Sequence, residues 1–326
     1  MDQITRAPVL SVRRLTTRYA SRSGTLYPVR DVSFELKAGE TLGVVGESGS
    51  GKTALGLSLI RLLPHAGRIE SGEVVLDGEN ILKRGERDMC AIRGAKIALI
   101  PQDPMASLNP LFRIGAQVSE TLAAHSIVEK NRLAAEALSL LQKVNIPHAS
   151  RRLRSYPHEL SGGMRQRVVG AIAIACVPSV LIADEPTTAL DVTIQAQYLA
   201  LLERLREETG VGMILITHDL GVVAQLCDRV AVMYAGYIVE QGSIERIFDR
   251  PAHPYTAALL ATRLGSDAAD GELPSIPGQP PDLRRLPQGC PFAPRCSRTT
   301  DQCRQHMPQD TTAARGGTVR YFHPLQ

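Results

Sequence analysis

Residues Gly46–Thr53 read GESGSGKT, which satisfies the pattern G-x-x-x-x-G-K-[ST] at every fixed position. The chemistry that this spacing allows is phosphate binding. Glycines let the chain turn back, so that the N–H groups of Gly46, Glu47, Ser48, Gly49, Ser50 and Gly51 can converge on an anion at the positive end of a following helix. Lys52 adds a cation for β and γ oxygens, and Thr53 adds a hydroxyl for Mg²⁺. Asp184 and Glu185 set two adjacent carboxylates at the end of the apolar run that starts at Ser179. Asp184 suits the outer shell of Mg²⁺, and Glu185 suits a general base polarising an attacking water. His218 follows a third apolar run, MILIT, where it is placed to reach a γ-phosphate.

Such groups must be carried to one edge by buried strands. Thr41–Val45 is a short apolar run leading into the glycine loop and then into ALGLSLIRLL, which reads as a helix. Strand, loop and helix in that order give the pattern its meaning. Ser179–Glu185 and Met213–Thr217 read as further strands of a buried parallel sheet, whose carboxyl ends are where ligands of open α/β sheets gather. Alternation along a strand predicts that Asp184 and Glu185 point in different directions and can do different work. One carboxylate before PTTALD would be an ordinary helix cap; two exceed what a cap needs.

At 326 residues the chain has room for two domains, or for one large α/β domain with an appendage. A net charge of +4, no Trp and 4% aromatic residues leave no stacking platform for single-stranded nucleic acid, so nucleic acid is not an expected partner. The longest nearly apolar run, Val168–Ala183, contains Pro178 and is shorter than the ~20 residues of a membrane span. MDQITRAPVL has no basic segment leading into an apolar one, so the chain is expected to stay in the cytosol, where thiols are kept reduced.

Kinases, GTPases and helicases share the first motif. LSGGMRQR (Leu160–Arg167), Gln102 after IALIP, TALD (Thr188–Asp191) and THDL (Thr217–Leu220) complete a set that resembles the ATP-binding cassette ATPases over roughly Val9 to Gly242. The resemblance implies an α/β P-loop NTPase core (ABC ATPase) with an antiparallel β subdomain, a helical subdomain and a C-terminal Cys-containing tail. It implies that Ser161, Gly162 and Gly163, with Met164 where many members have Gln, meet the γ-phosphate held by a second ATPase subunit. Gln102 would contact Mg²⁺ and water, Asp191 would organise the dimer interface and His218 would hold the γ-phosphate. The adenine-stacking aromatic falls at Tyr19; Tyr27 is a weaker candidate because SRSGTLYP looks like a turn.

PQDPMASLNP, VMYAGYIVEQG and RPAHPYTAALL closely resemble the ATPase subunits of oligopeptide and dipeptide importers, whose relatives also carry nickel or glutathione. By that resemblance the chain hydrolyses ATP to power solute import across the bacterial inner membrane, peripheral on its cytoplasmic side. Its partners would be a second, different ATPase chain, two transmembrane permease subunits and an external solute-binding protein. A soluble cassette switch acting outside transport is the alternative, and an ATP-binding regulator without turnover a third reading.

Val9–Glu40 with Ser71–Gly78 fits a small antiparallel sheet, about 103–160 a helical subdomain, and Leu273–Pro287 a Pro/Gly-punctuated linker. The expected division is a nucleotide-binding domain over 1–264 and a tail over 265–326. In the importer subfamily a tail opening G-C-P-F-x-P-R-C can provide four cysteines for an iron–sulfur cluster. Cys290, Cys296 and Cys303 match three of them, and Arg320–His323 stands where the fourth would be. His323 could complete a Cys₃His set for zinc or a cluster, and thiols that simply pack are the alternative.

Overall fold

A computed structural model describes residues 7–22, 24–188, 190–264, 275–313 and 316–325. The chain forms two compact units, each assembled from separate segments. One takes the chain up to Leu10, Leu36–Glu40 and Leu76–Ile214; the other takes Ser11–Glu35, Thr41–Val75 and the chain from Leu215.

In the first unit the strands Ile97–Ile100 and Val180–Asp184 run parallel, from Ile97 beside Val180 to Ile100 beside Ala183. Gly212–Ile216 is the next neighbour of Val180–Asp184. Val180–Asp184 and Gly212–Ile216 are buried at every residue, as unbroken apolar runs require when both faces of a parallel sheet are covered. Helices over the expected 103–160 region include Pro104–Ser107, Ile114–Ala124, Leu133–Lys143 and Ala149–Arg152. Ile114, Val118 and Leu122, four apart, make the buried stripe of the second of these, which packs on Leu133–Lys143 and Gly162–Ile174. The long apolar run from Val168 is therefore the end of a buried helix and then a buried strand, separated at Pro178.

In the second unit Thr41–Val45 pairs in parallel with Arg229–Tyr234, which turns through Ala235 and Gly236, both at positive φ, into Tyr237–Ser243. Two short tail strands, Thr311–Thr312 and Thr318–Val319, extend that edge, with Val319 opposite Glu240. Leu10–Ser21, Gly24–Leu36 and Gly67–Leu76 make the expected small sheet, with Leu10–Ser21 in the middle. The segment expected to be a turn before Tyr27 is instead strand from Gly24 onward. Pro28 is tolerated there because Gly24–Leu36 is an edge strand, where a missing N–H breaks no ladder on the outer side.

The expected linker is irregular where it is described, and it is pinned: Arg295 donates to the carbonyls of Ile276 and Pro277, and Arg30 to that of Leu283. Residues 265–274, against which the expected domain boundary falls, lie outside the described residues. Among the described residues no helix is long and apolar enough to cross a membrane.

Candidate nucleotide site

The loop Gly46–Gly51 emerges from the fully buried strand Thr41–Val45 and runs into the helix Lys52–Leu59. Gly46 (φ 153°) and Gly51 (φ 107°) take backbone conformations that side chains resist. A Cβ on Gly46 would stand 2.1 Å from Met233 O, and one on Gly51 would stand 1.9 Å from Pro28 O. The backbone thus closes into a concave cradle that only glycine permits. Ser48, Gly49 and Thr53 lie on its exposed side. Lys52, 6% exposed, folds back over the loop, donating from Nζ to Gly46 O (2.8 Å) and Glu47 O (3.0 Å). Two of the N–H groups expected to converge on an anion are bonded within the protein, that of Glu47 to Tyr255 OH and that of Ser50 to Glu47 O; the glycine-closed loop that remains, with an ammonium at its rim, suits a polyphosphate.

Three further candidates lie in this unit. Tyr19 is half-buried near the end of its strand, its ring so close to Gly67 that a Cβ there would lie 2.9 Å from it, and burial raises its phenol pKa. Tyr27 lies beneath the Arg30 guanidinium, 4.7 Å from the ring centre. His218 is exposed, two residues past Gly212–Ile216, and Asp219 caps the helix Leu220–Leu226 by accepting from Gly221 N and Val222 N.

The carboxylates belong to the other unit. Asp184 ends its strand and is 5% exposed. Glu185 leaves the strand at φ 45°, a left-handed conformation that costs a non-glycine residue about 1–3 kcal/mol and is typical of functional turns. The strand stops at Asp184 and Glu185 turns, so the alternation of a continuing pleat does not extend to Glu185. Gln102 Nε2 donates to Glu185 Oε2 at 3.3 Å, and Thr188 Oγ1 donates to the same oxygen at 2.9 Å. Gln102 and Glu185, 83 residues apart, are therefore brought together, while Ala189 of the TALD turn lies outside the described residues.

Ser161 caps Gly162–Ile174, its Oγ accepting from Met164 N at 3.4 Å, and Asp191 caps Val192–Thr209 by accepting from Ile194 N at 3.0 Å. Ser161, Gly162, Gly163 and Asp191 line one pocket. Gly163 is there for space: a Cβ would stand 2.6 Å from Ile194 Cγ2. The exposed N–H groups of a long helix at Gly162 make this a second surface suited to an anion.

In the tail, Cys290, Cys296 and Cys303 are buried, and Cys290 N donates to Cys303 O at 2.7 Å. Their environment does not fit a metal centre. Burial pushes the Cys290 thiol up to about 11 in the metal-free protein. Cys296 Sγ accepts from Arg298 N and lies 3.9 Å from Tyr321 OH, and Cys303 Sγ lies 3.2 Å from Thr300 Oγ1. His323, the candidate fourth ligand, is exposed, and among the described residues no three His, Cys, Asp or Glu side chains are arranged around a metal position.

Reading the sequence missed Thr188, Ile194, Tyr255 and Arg295. Tyr255 OH accepts from Glu47 N at 2.9 Å, and Arg295, inside the cysteine motif itself, holds the Glu47 carboxylate at 2.7 and 3.0 Å.

Residues 29–188 match the family model described as ABC transporter, and residues 239–303 match the Oligopeptide/dipeptide transporter, C-terminal region. The chain is 47% identical to the oligopeptide transport ATP-binding protein OppD of Haemophilus influenzae, covering 95% of each chain. It is also 47% identical to the dipeptide transport ATP-binding protein DppD of Bacillus subtilis, covering 95% of this chain and 93% of that one. Among solved structures it resembles the ATP-binding cassette MJ0796 in a dimeric post-hydrolysis state bound to ADP and Pi, with a TM-score of 0.65 and 26% identity over 72% of this chain and 98% of that one. With the cassette motifs and the cysteine-bearing tail both matched, the chain belongs to the family of ATP-binding subunits of oligopeptide/dipeptide ABC transporters.

Proposed function

We propose that this chain is the ATP-hydrolysing subunit of an importer for peptides or a related small solute, peripheral on the cytoplasmic face of the bacterial inner membrane. The observation that carries the reading is the presence, in one chain, of a phosphate cradle that only glycines allow and a C-terminal region like that of oligopeptide/dipeptide transporters. The division into a cassette over 1–264, with a helical subdomain at about 103–160, and a tail over 265–326 belongs to the same proposal.

ATP is the substrate. The N–H groups of the Gly46–Gly51 loop, apart from those of Glu47 and Ser50, which bond to Tyr255 OH and Glu47 O, bind its phosphates, Lys52 neutralises β and γ oxygens, and Tyr19 stacks on the adenine. Thr53, Gln102 and Asp184 would hold Mg²⁺, which when bound offsets charge on the β and γ oxygens. Glu185 takes the proton of the water that attacks the γ-phosphorus as the bond to ADP breaks, and His218 steadies the γ-phosphate. Ser161–Gly163 and Asp191 face a second ATPase subunit, so that ATP binding favours a closed pair and product release reopens it. The remaining partners are two permease subunits and an external solute-binding protein.

The test is reconstitution. Expressed with neighbouring permease genes, the chain should co-purify with two polytopic membrane proteins and drive ATP-dependent peptide uptake into vesicles. ATPase activity without any such association would favour the soluble-switch alternative.

A further inference from the structure

The tail reaches the phosphate loop at a single acidic residue. Glu47 is the one carboxylate within Gly46–Thr53, a loop otherwise suited to an anion. Its carboxylate is gripped by both arms of the Arg295 guanidinium, at 2.7 and 3.0 Å. Arg295 is itself immobilised: its side chain is 5% exposed, and it donates to Pro277 O (2.8 Å), Ile276 O (3.2 Å) and Tyr234 OH (3.3 Å). Phe292, three residues before it, sets its ring edgewise against both Tyr234 and Tyr255, and Tyr255 OH accepts from Glu47 N. The tail is therefore docked around Glu47, and Glu47 O in turn accepts from the Lys52 ammonium.

We propose that Arg295 is a positioning residue for nucleotide binding: the tail supplies the cation that neutralises Glu47, leaving the Lys52 ammonium for the triphosphate. The inference rests on the reading of Gly46–Thr53 as the ATP site. Without Arg295, a half-buried carboxylate would stand uncompensated in the loop, on a residue whose backbone carbonyl already accepts from the Lys52 ammonium. Glu47 would then repel the phosphates and compete for the group that binds them. A tail that only packs against the loop makes the opposite demand on Glu47, because losing either partner would loosen the anchor equally.

Titration of the full chain with a fluorescent ATP analogue separates the two. Arg295→Gln should weaken binding about tenfold, the scale of one charge interaction at a partly solvated site. Glu47→Gln should bind within about twofold of the wild type or tighter, because it removes the repulsion together with the need for Arg295. The double variant should recover most of the affinity that Arg295→Gln loses, and Arg295→Lys, which keeps the charge but not the fork, should fall between. Thermal unfolding of each variant shows whether it is folded; should Arg295→Gln not fold, Glu47→Gln alone decides. A tenfold loss in Glu47→Gln, or a folded double variant no better than Arg295→Gln, would overturn the proposal. Lys52→Ala in the same series tests the underlying site: normal ATP binding there would remove the nucleotide reading itself, whatever the Arg295 variants do.

Discussion

Thr188 donates its hydroxyl to Glu185 Oε2 at 2.9 Å, across a turn in which Glu185 itself stands at φ 45°. A strained backbone is thus tied to a fixed side-chain pose, with Gln102 as the second donor to the same oxygen. A carboxylate held this way loses little freedom when a water must be aligned against it. Glu185→Gln should leave ATP binding intact and slow turnover by about 10²–10⁴, the usual worth of a general base. Thr188→Val removes one donor and should lower kcat roughly tenfold with KM nearly unchanged, about the cost of one hydrogen bond. Paired measurements of ATP affinity and single-turnover hydrolysis check both; normal hydrolysis by Glu185→Gln would take this residue out of the chemistry.

Gly163 and Ile194 make a steric prediction. An added Cβ at 163 would overlap Ile194 Cγ2 at 2.6 Å, and the helix Val192–Thr209 is fixed at that end by the Asp191 cap. Gly163→Ala should therefore displace one helix start from the other and destabilise the chain by about 1–3 kcal/mol, as overpacking does. Adding Ile194→Ala removes the offending methyl and should return most of that stability. Urea unfolding of the single and double variants gives the answer, and a double variant less stable than the sum of its parts would contradict the packing account.

The same residues show what sequence reading can reach. The buried strands, to within a residue at each end, and the glycine loop were legible because they follow from local rules, apolar runs and glycine at strained φ, whereas the cap at Asp191 is added by the structure. Arg295 with Glu47 was not, since 248 residues separate them and neither carries a local signal of the other. Tyr27 was misplaced for a related reason: Gly and Ser signal a turn but not its length, and here pairing resumes at Gly24. The cysteine motif could be seen but not weighed. Spacing gives three thiols, whereas burial and bonding, which decide whether they can be ligands, depend on Thr300, Tyr321 and the tail's own folding.

That bonding makes the thiols testable. Protein isolated without oxygen should carry iron, zinc and sulfide well below one equivalent per chain, because among the described residues no three His, Cys, Asp or Glu side chains are arranged around a metal position. Unfolded without reductant, it should titrate all six cysteines as free thiols. Stoichiometric iron with acid-labile sulfide would show that the tail rearranges around a cluster.

His253 supplies a pH signature in the same region. It is fully buried, its ring tilted against Phe292 and Tyr321, and Nδ1 accepts from Tyr255 N at 3.0 Å. The nearby Glu240 carboxylate is bonded to the His253 backbone N–H, to Ala252 N and to Arg246, so it is directed to groups other than the ring. Burial lowers the His253 pKa to about 3, far below its value of about 6.5 in an unfolded chain. Above pH ~6.5 the ring is neutral in both states and the full stability is present. As pH falls below that, the unfolded chain takes up a proton that the folded one refuses, so stability drops by up to about 1.4 kcal/mol per pH unit until the folded pKa is reached. Between about pH 7.5 and pH 5 this histidine should account for about 2 kcal/mol. His253→Asn keeps an acceptor for the following helix start and carries no titrating ring, so its stability should fall less steeply with acid. Urea unfolding of both proteins across that range is the check, and parallel curves would mean that His253 is not held neutral in the fold.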